Sequence, residues 1–121
     1  MIMLLALDFD QTYTLDPEYW NKVIKLTREE GHEIIMATYR HAVADWDPRM
    51  EKIDLDIHFT DGKAKKPFLE EKGIVVDVWL DDRPLTVIED SAWGQDSPEL
   101  AAWREANAKV LGIETGTEVG V

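Results

Sequence analysis

Hydrophobic and small residues fill the stretch from Ile2 to Leu7, and Asp8-Phe9-Asp10-Gln11-Thr12 follows at once. An apolar run without charge predicts a strand buried on both faces, as in a parallel sheet. Asp16-Pro17 then opens a helix, since Asp16 can cap the free amides and proline suits the first helical turn. Trp20, Val23, Ile24 and Thr27 recur at helical spacing, and Gly31 offers a stop. Glu33 to Thr38 predicts a second strand. Asp47-Pro48 repeats the helix-start pattern before a short helix near Arg49 to Ile53. Leu55 to Thr60 reads as a third strand, Asp61-Gly62 as a turn, and Pro67 as the opening of a short helix that ends at Gly73. Val75 to Leu80 predicts a fourth strand running into Asp81-Asp82. Leu85 to Ile88 fits a fifth strand or a helical turn. Ser97-Pro98 starts a last helix with Leu100, Trp103, Ala106, Val110 and Leu111 on one face, and residues 112–121 read as a loose tail.

Strands alternating with helices predict a mainly parallel sheet with right-handed crossovers and helices on both faces, a three-layer α/β/α sandwich. The 121 residues make one domain, residues 1–121, with room for a single core. A net charge of −12 leaves no basic surplus to neutralise phosphates, so extended nucleic-acid binding is not expected. The absence of cysteine removes disulfides, zinc–thiolate sites and thiol nucleophiles together, and three scattered histidines do not make a histidine-rich metal site. The amino-terminal apolar run lacks a basic leader and is far shorter than a membrane span, so a cytoplasmic protein without a membrane segment is expected.

The chemistry gathers at the strand ends. The first strand delivers Asp8 and Asp10, the second Thr38, and the fourth Asp81 and Asp82, with Lys63, Lys65 and Lys66 in the connection before the fourth. The carboxyl ends of parallel strands are where open α/β sheets place their binding crevices. Carboxylates that can hold a hard divalent cation, a hydroxyl and an ammonium are the set that phosphoryl transfer requires.

On these residues, from Ile2 to about Pro84, the chain resembles the haloacid dehalogenase-like phosphatase superfamily. The resemblance rests on Asp8-Phe9-Asp10-Gln11-Thr12 after a hydrophobic strand, on Ile34-Ile35-Met36-Ala37-Thr38, and on Val78-Trp79-Leu80-Asp81-Asp82. It implies a Rossmann-like sheet and an Mg²⁺-dependent phosphomonoesterase that works through an aspartyl-phosphate. Asp8 would be the nucleophile, Asp10 the general acid and then base, and Thr38 a hydrogen-bond donor to the phosphoryl oxygens. The metal would be held by Asp8, by the backbone carbonyl of Asp10 and by the acidic pair, with Asp82 as direct ligand and Asp81 as its neighbour. Reversed roles for Asp81 and Asp82 stay open. Lys66, which precedes Pro67 at a helix start, is the preferred phosphate-contacting lysine, with Lys63 and Lys65 as alternatives. Gln11, Thr12 and Tyr13 would shape the loop. Surface roles are expected for Arg40 and His41, structural pairing for Arg83, and core packing for Trp20, Trp79 and Trp103. Trp46 and Trp93, in predicted loops, are candidates for a substrate or partner surface.

The short connections between the motifs leave no room for the cap domain that many members of the superfamily carry. An uncapped site implies either the phosphorylated end of a macromolecule as substrate, or a small nucleotide or sugar phosphate enclosed by a second copy of the chain. Phosphotransfer to an acceptor other than water, and a non-catalytic binding or regulatory protein on the same scaffold, remain alternatives.

Overall fold

The structure is a computed structural model and describes residues 1–91. The helix expected after Ser97-Pro98, the tail 112–121, Trp93 and Trp103 lie outside the described residues. Four strands, β1 (Leu4–Leu7), β2 (Glu33–Thr38), β3 (Ile57–Phe59) and β4 (Val78–Leu80), form an all-parallel sheet in the order β3-β2-β1-β4. Helices α1 (Pro17–Glu29), α2 (Lys65–Glu71) and the single turn α3 (Leu85–Ile88) connect or follow them. Two 3₁₀ segments, Tyr13–Leu15 and Pro48–Lys52, complete the connections.

Alternation along each strand sorts the side chains onto two faces. Leu5, Leu7, Ile34, Met36 and Leu80 join Trp20 and Ile24 of α1, together with Met50 of the second 3₁₀ segment and Ile53 just after it, in one core. Ala6, Ile35, Ala37 and Trp79 face the other way and meet Phe68 and Leu69 of α2. The sheet therefore has a helix against each face. The change of face follows the strand order: the chain steps outward from β1 to β3, then crosses back to the far side of β1 for β4. Right-handed crossovers in opposite directions put their helices on opposite faces.

Local signals hold where the chemistry is local. The Asp16 carboxylate accepts a hydrogen bond from the Tyr19 amide at 3.2 Å, with Pro17 in the first turn of α1. Replacing Asp16 by alanine is expected to lower stability by about 1 kcal/mol, read as a shift of the urea midpoint with an unchanged slope. Gly31, at φ +85, ends the helix in the left-handed region that glycine tolerates best. Asp47 caps the second 3₁₀ segment through the Arg49 amide.

Three strands are shorter than expected: β1 begins at Leu4 instead of Ile2, β3 covers only Ile57–Phe59, and β4 only Val78–Leu80. Pairing ends where the neighbour ends, as Leu5 is opposite Val78 and Met36 opposite Ile57. Leu85–Ile88 forms a helical turn packed near α2, not a strand. The helix predicted from Pro67 opens at Lys65, two residues earlier. Proline is tolerated throughout the first turn, where amides have no intrahelical acceptor, so it does not pinpoint the first helical residue. Among the described residues, no helix is long and apolar enough to cross a membrane.

Candidate active site

The chain reverses its direction of travel across the sheet between β1 and β4, and their carboxyl ends flank that point. The Asp8 amide donates to the Leu80 carbonyl at 2.9 Å, extending the β1–β4 pairing by one residue. The register of Leu7 with Leu80 thus brings Asp8 beside Asp81-Asp82. One carboxylate oxygen from each of Asp8, Asp81 and Asp82 lies within 4.8 Å of the others. The Thr12 hydroxyl sits between Asp8 Oδ2 at 3.3 Å and Asp82 Oδ1 at 3.2 Å, and also receives the Asp82 amide, tying the two strand ends together. Gln11 adopts φ 60, a left-handed conformation that costs a non-glycine residue about 1 kcal/mol and turns the loop back at this point.

Lys65 is the only cation buried in this cluster among the described residues. Its ammonium is 2.8 Å from Asp8 Oδ1 and 2.6 Å from Asp81 Oδ2. Lys66, the preferred candidate from the sequence, instead points outward and pairs with Glu70 at 2.7 Å on the exposed side of α2. Lys63 is exposed in the preceding turn. The correction has a helical cause. Adjacent residues on a helix are about 100° apart, so only one of two neighbouring lysines can share the buried face. Lys65 precedes Leu69 by four residues and lies on the face that Leu69 buries. That spacing is the signal the sequence carries for Lys65, and it lies outside a helix begun at Pro67. The start of α2 is fixed from far along the chain: Asp90 Oδ1 accepts the Ala64 amide at 2.7 Å, and the Ser91 amide donates to the Gly62 carbonyl at 2.7 Å.

The two members of the acidic pair differ. Asp81 is held by Lys65, by the Thr86 hydroxyl at 3.1 Å and by the Arg83 amide at 2.9 Å, and its side chain is buried. The Asp82 side chain is 31% exposed, with the Arg83 guanidinium 3.9 Å away, so it retains lone pairs toward the cavity. Thr38 is buried at the end of β2, where its hydroxyl accepts from the Arg40 amide at 3.3 Å. The Asp10 carboxylate stands apart from the other three. It is gripped by Arg40, whose Nε and Nη2 approach its two oxygens at 2.9 and 2.8 Å. The sequence did not single out Arg40 for this contact, because nothing local pairs residues thirty positions apart. An open cavity of about 970 Å³ lies in front of these groups, lined by Asp8, Asp10, Lys65, Asp82, Leu15 and Tyr39 among others. Trp20 and Trp79 pack against the two cores, whereas Trp46 is partly exposed and lies against Phe59.

Burial pushes the Asp8 carboxyl up to about 7 from its ordinary 3.8; the Lys65 ammonium opposes this and the Asp81 charge adds to it. Two carboxylates sharing one ammonium out of water leave an excess negative charge. Between pH 3.8 and about 7 the folded protein keeps a proton on Asp8 that the unfolded chain has released. Stability is therefore expected to fall as pH rises through this window in metal-free buffer. Subtracting the pH profile of an Asp8→Asn variant, measured by urea unfolding in a chelator, isolates this contribution. A difference that stays flat from pH 4 to 8 would contradict it.

The chain matches no family model, no curated protein and no solved structure.

Proposed function

We propose that this chain is an Mg²⁺-dependent phosphomonoesterase of the haloacid dehalogenase-like superfamily that works through an aspartyl-phosphate on Asp8. The observation that carries this reading is the meeting of Asp8, Asp81, Asp82 and Lys65 at the switch point of a parallel sheet, at the mouth of an open cavity. The strand order supports the same family: three strands stepping outward and a fourth returning to the first is the arrangement of a doubly wound sheet.

The donor set fits a hard divalent cation. It offers carboxylate oxygens alone, from three residues within 4.8 Å, and their excess negative charge goes uncompensated by Lys65. Asp8 and Asp82 would hold the ion, with the Asp10 carbonyl as the further ligand implied by the family resemblance, and Asp81 would orient Lys65. Bound there, Mg²⁺ would neutralise charge on the phosphoryl oxygens. Asp8 attacks phosphorus, and Lys65 and Thr38 balance and position the oxygens. Asp10 gives a proton to the departing alkoxide and later takes one from the attacking water.

Among the described residues, the connections between β1 and β4 contain only short helices and turns, with no inserted domain over the cavity. This supports a site that admits a phosphorylated macromolecular end or a small nucleotide or sugar phosphate covered by a second copy. The deciding experiment is a phosphate-release screen over nucleotides, sugar phosphates, phosphopeptides and phosphorylated oligonucleotides, with and without Mg²⁺. Turnover that depends on Mg²⁺ supports the proposal, and inactivity across the panel refutes it.

A further inference from the structure

Arg40 is the most heavily engaged side chain at the cavity mouth that the proposed chemistry does not use. Its guanidinium grips both oxygens of Asp10, at 2.9 and 2.8 Å, and its remaining arm donates to the Asp45 carbonyl at 2.8 Å. The group lies 5.2 Å from the centre of the Phe9 ring. Phe9 is fully buried and sits in the chain between the two aspartates, so the ring beneath Arg40 is rigid. The loop that carries Asp45 is braced in turn: the Asp45 carboxylate accepts the His41 amide at 2.7 Å, and His41 Nδ1 accepts the Val43 and Ala44 amides at 3.1 Å.

A planar fork on a carboxylate fixes both its place and its plane, which a lysine ammonium cannot do. The Asp10 side chain is 48% exposed. Released from the fork, it could rotate freely or turn toward Lys65 and the metal ligands. We propose that Arg40 is a positioning residue for proton transfer, holding the Asp10 carboxyl on the leaving-group side of the cavity and away from the Asp8–Asp81–Asp82 cluster. In the first step an oxygen of Asp8 bonds to phosphorus, the phosphorus–alkoxide bond breaks, and the Asp10 proton moves to the departing oxygen. In the second, water oxygen bonds to phosphorus, the bond to Asp8 breaks, and Asp10 recovers a proton from that water. One Asp10 oxygen leaves the fork to carry the proton, and the other keeps the carboxyl in place.

This inference rests on the phosphatase reading, and leaving-group dependence separates the two. Phenyl phosphate needs a proton on its departing oxygen, whereas dinitrophenyl phosphate leaves readily without one. With Mg²⁺ present, Arg40→Gln is expected to lose about 10²-fold in kcat/KM on phenyl phosphate and under about tenfold on dinitrophenyl phosphate. Arg40→Lys should show the same selective loss, because it keeps the charge and loses the fork. Arg49→Gln serves as a control, since Arg49 also lies 5.4 Å from the centre of the same ring but pairs with Asp47, and it should match wild type on both esters. Equal losses on the two esters, or no loss, would overturn the positioning role while leaving the phosphatase reading intact. So would failure of both Arg40 variants to melt cooperatively, which would make the contact one of folding alone. A wild-type protein inactive on both esters would overturn the phosphatase reading, and this inference with it.

Discussion

Asp8→Asn is expected to abolish Mg²⁺-dependent phosphate release, a loss of about 10⁴-fold or more in kcat, while making the metal-free protein more stable. The two effects arise from the same atoms. An amide cannot form the acyl-phosphate, so the covalent route closes. It also escapes the penalty carried by a buried carboxylate whose proton leaves near pH 7. At pH 8 the relief is about 1–3 kcal/mol, discounted from the full cost of ionising the group because Lys65 loses a partner. Asp81 still holds Lys65 at 2.6 Å, so the ammonium is not abandoned. Addition of Mg²⁺ should reverse the ranking, raising the Tm of wild type more than that of the variant. An Asp8→Asn protein that retains turnover, or that is less stable than wild type at pH 8 in a chelator, would remove Asp8 from its proposed place.

Lys65→Met is expected to be the most damaging single change among the described residues. It keeps most of the side-chain volume and deletes the charge, leaving Asp8 and Asp81 buried with no cation between them. Breaking a buried pair from one side costs about 3–5 kcal/mol, and the loss should shrink as pH falls toward about 7 and level off below it, because without Lys65 Asp8 takes up its proton at higher pH than in wild type. The double variant Lys65→Met with Asp8→Asn should be more stable than Lys65→Met alone, since the second change removes one of the orphaned charges. Lys66→Met should shift stability by less than about 0.5 kcal/mol, as its contact with Glu70 is exposed. Chemical unfolding of the four proteins decides the matter. Equal effects of the two lysine substitutions would contradict the assignment of Lys65 to the cluster.

The contrast between these two lysines shows where local reading stops. Asp16 and Asp47 each cap their own helix within three residues, and both caps are legible from the chain. Glu33–Thr38 forms a strand over the stretch its apolar run predicts. By comparison, β3 and β4 are shorter than their apolar runs because strand length depends on the partner, and Val75 is exposed despite its hydrophobic character. The phase of α2 is hidden for a similar reason, since Ala64, the residue that caps its start, is held by Asp90, and the helix opens two residues before Pro67.

The pattern of residues was enough to establish the alternation of strands and helices, the acids at the ends of the first and fourth strands, and an uninterrupted run between motifs with no space for an inserted domain. Those features follow from periodicity, capping and connection length, all properties of neighbouring residues. The pairing of β1 with β4 set Asp8 beside Asp81 and Asp82, the phase of α2 gave the buried cation to Lys65, and the loop after β2 gave Asp10 to Arg40. Each of these joins residues tens of positions apart, and their partners are selected by strand order, helix rotation and burial. Folding alone settles those, because the cost of burying a charge is decided by what lies across from it and not by what lies next to it in the chain.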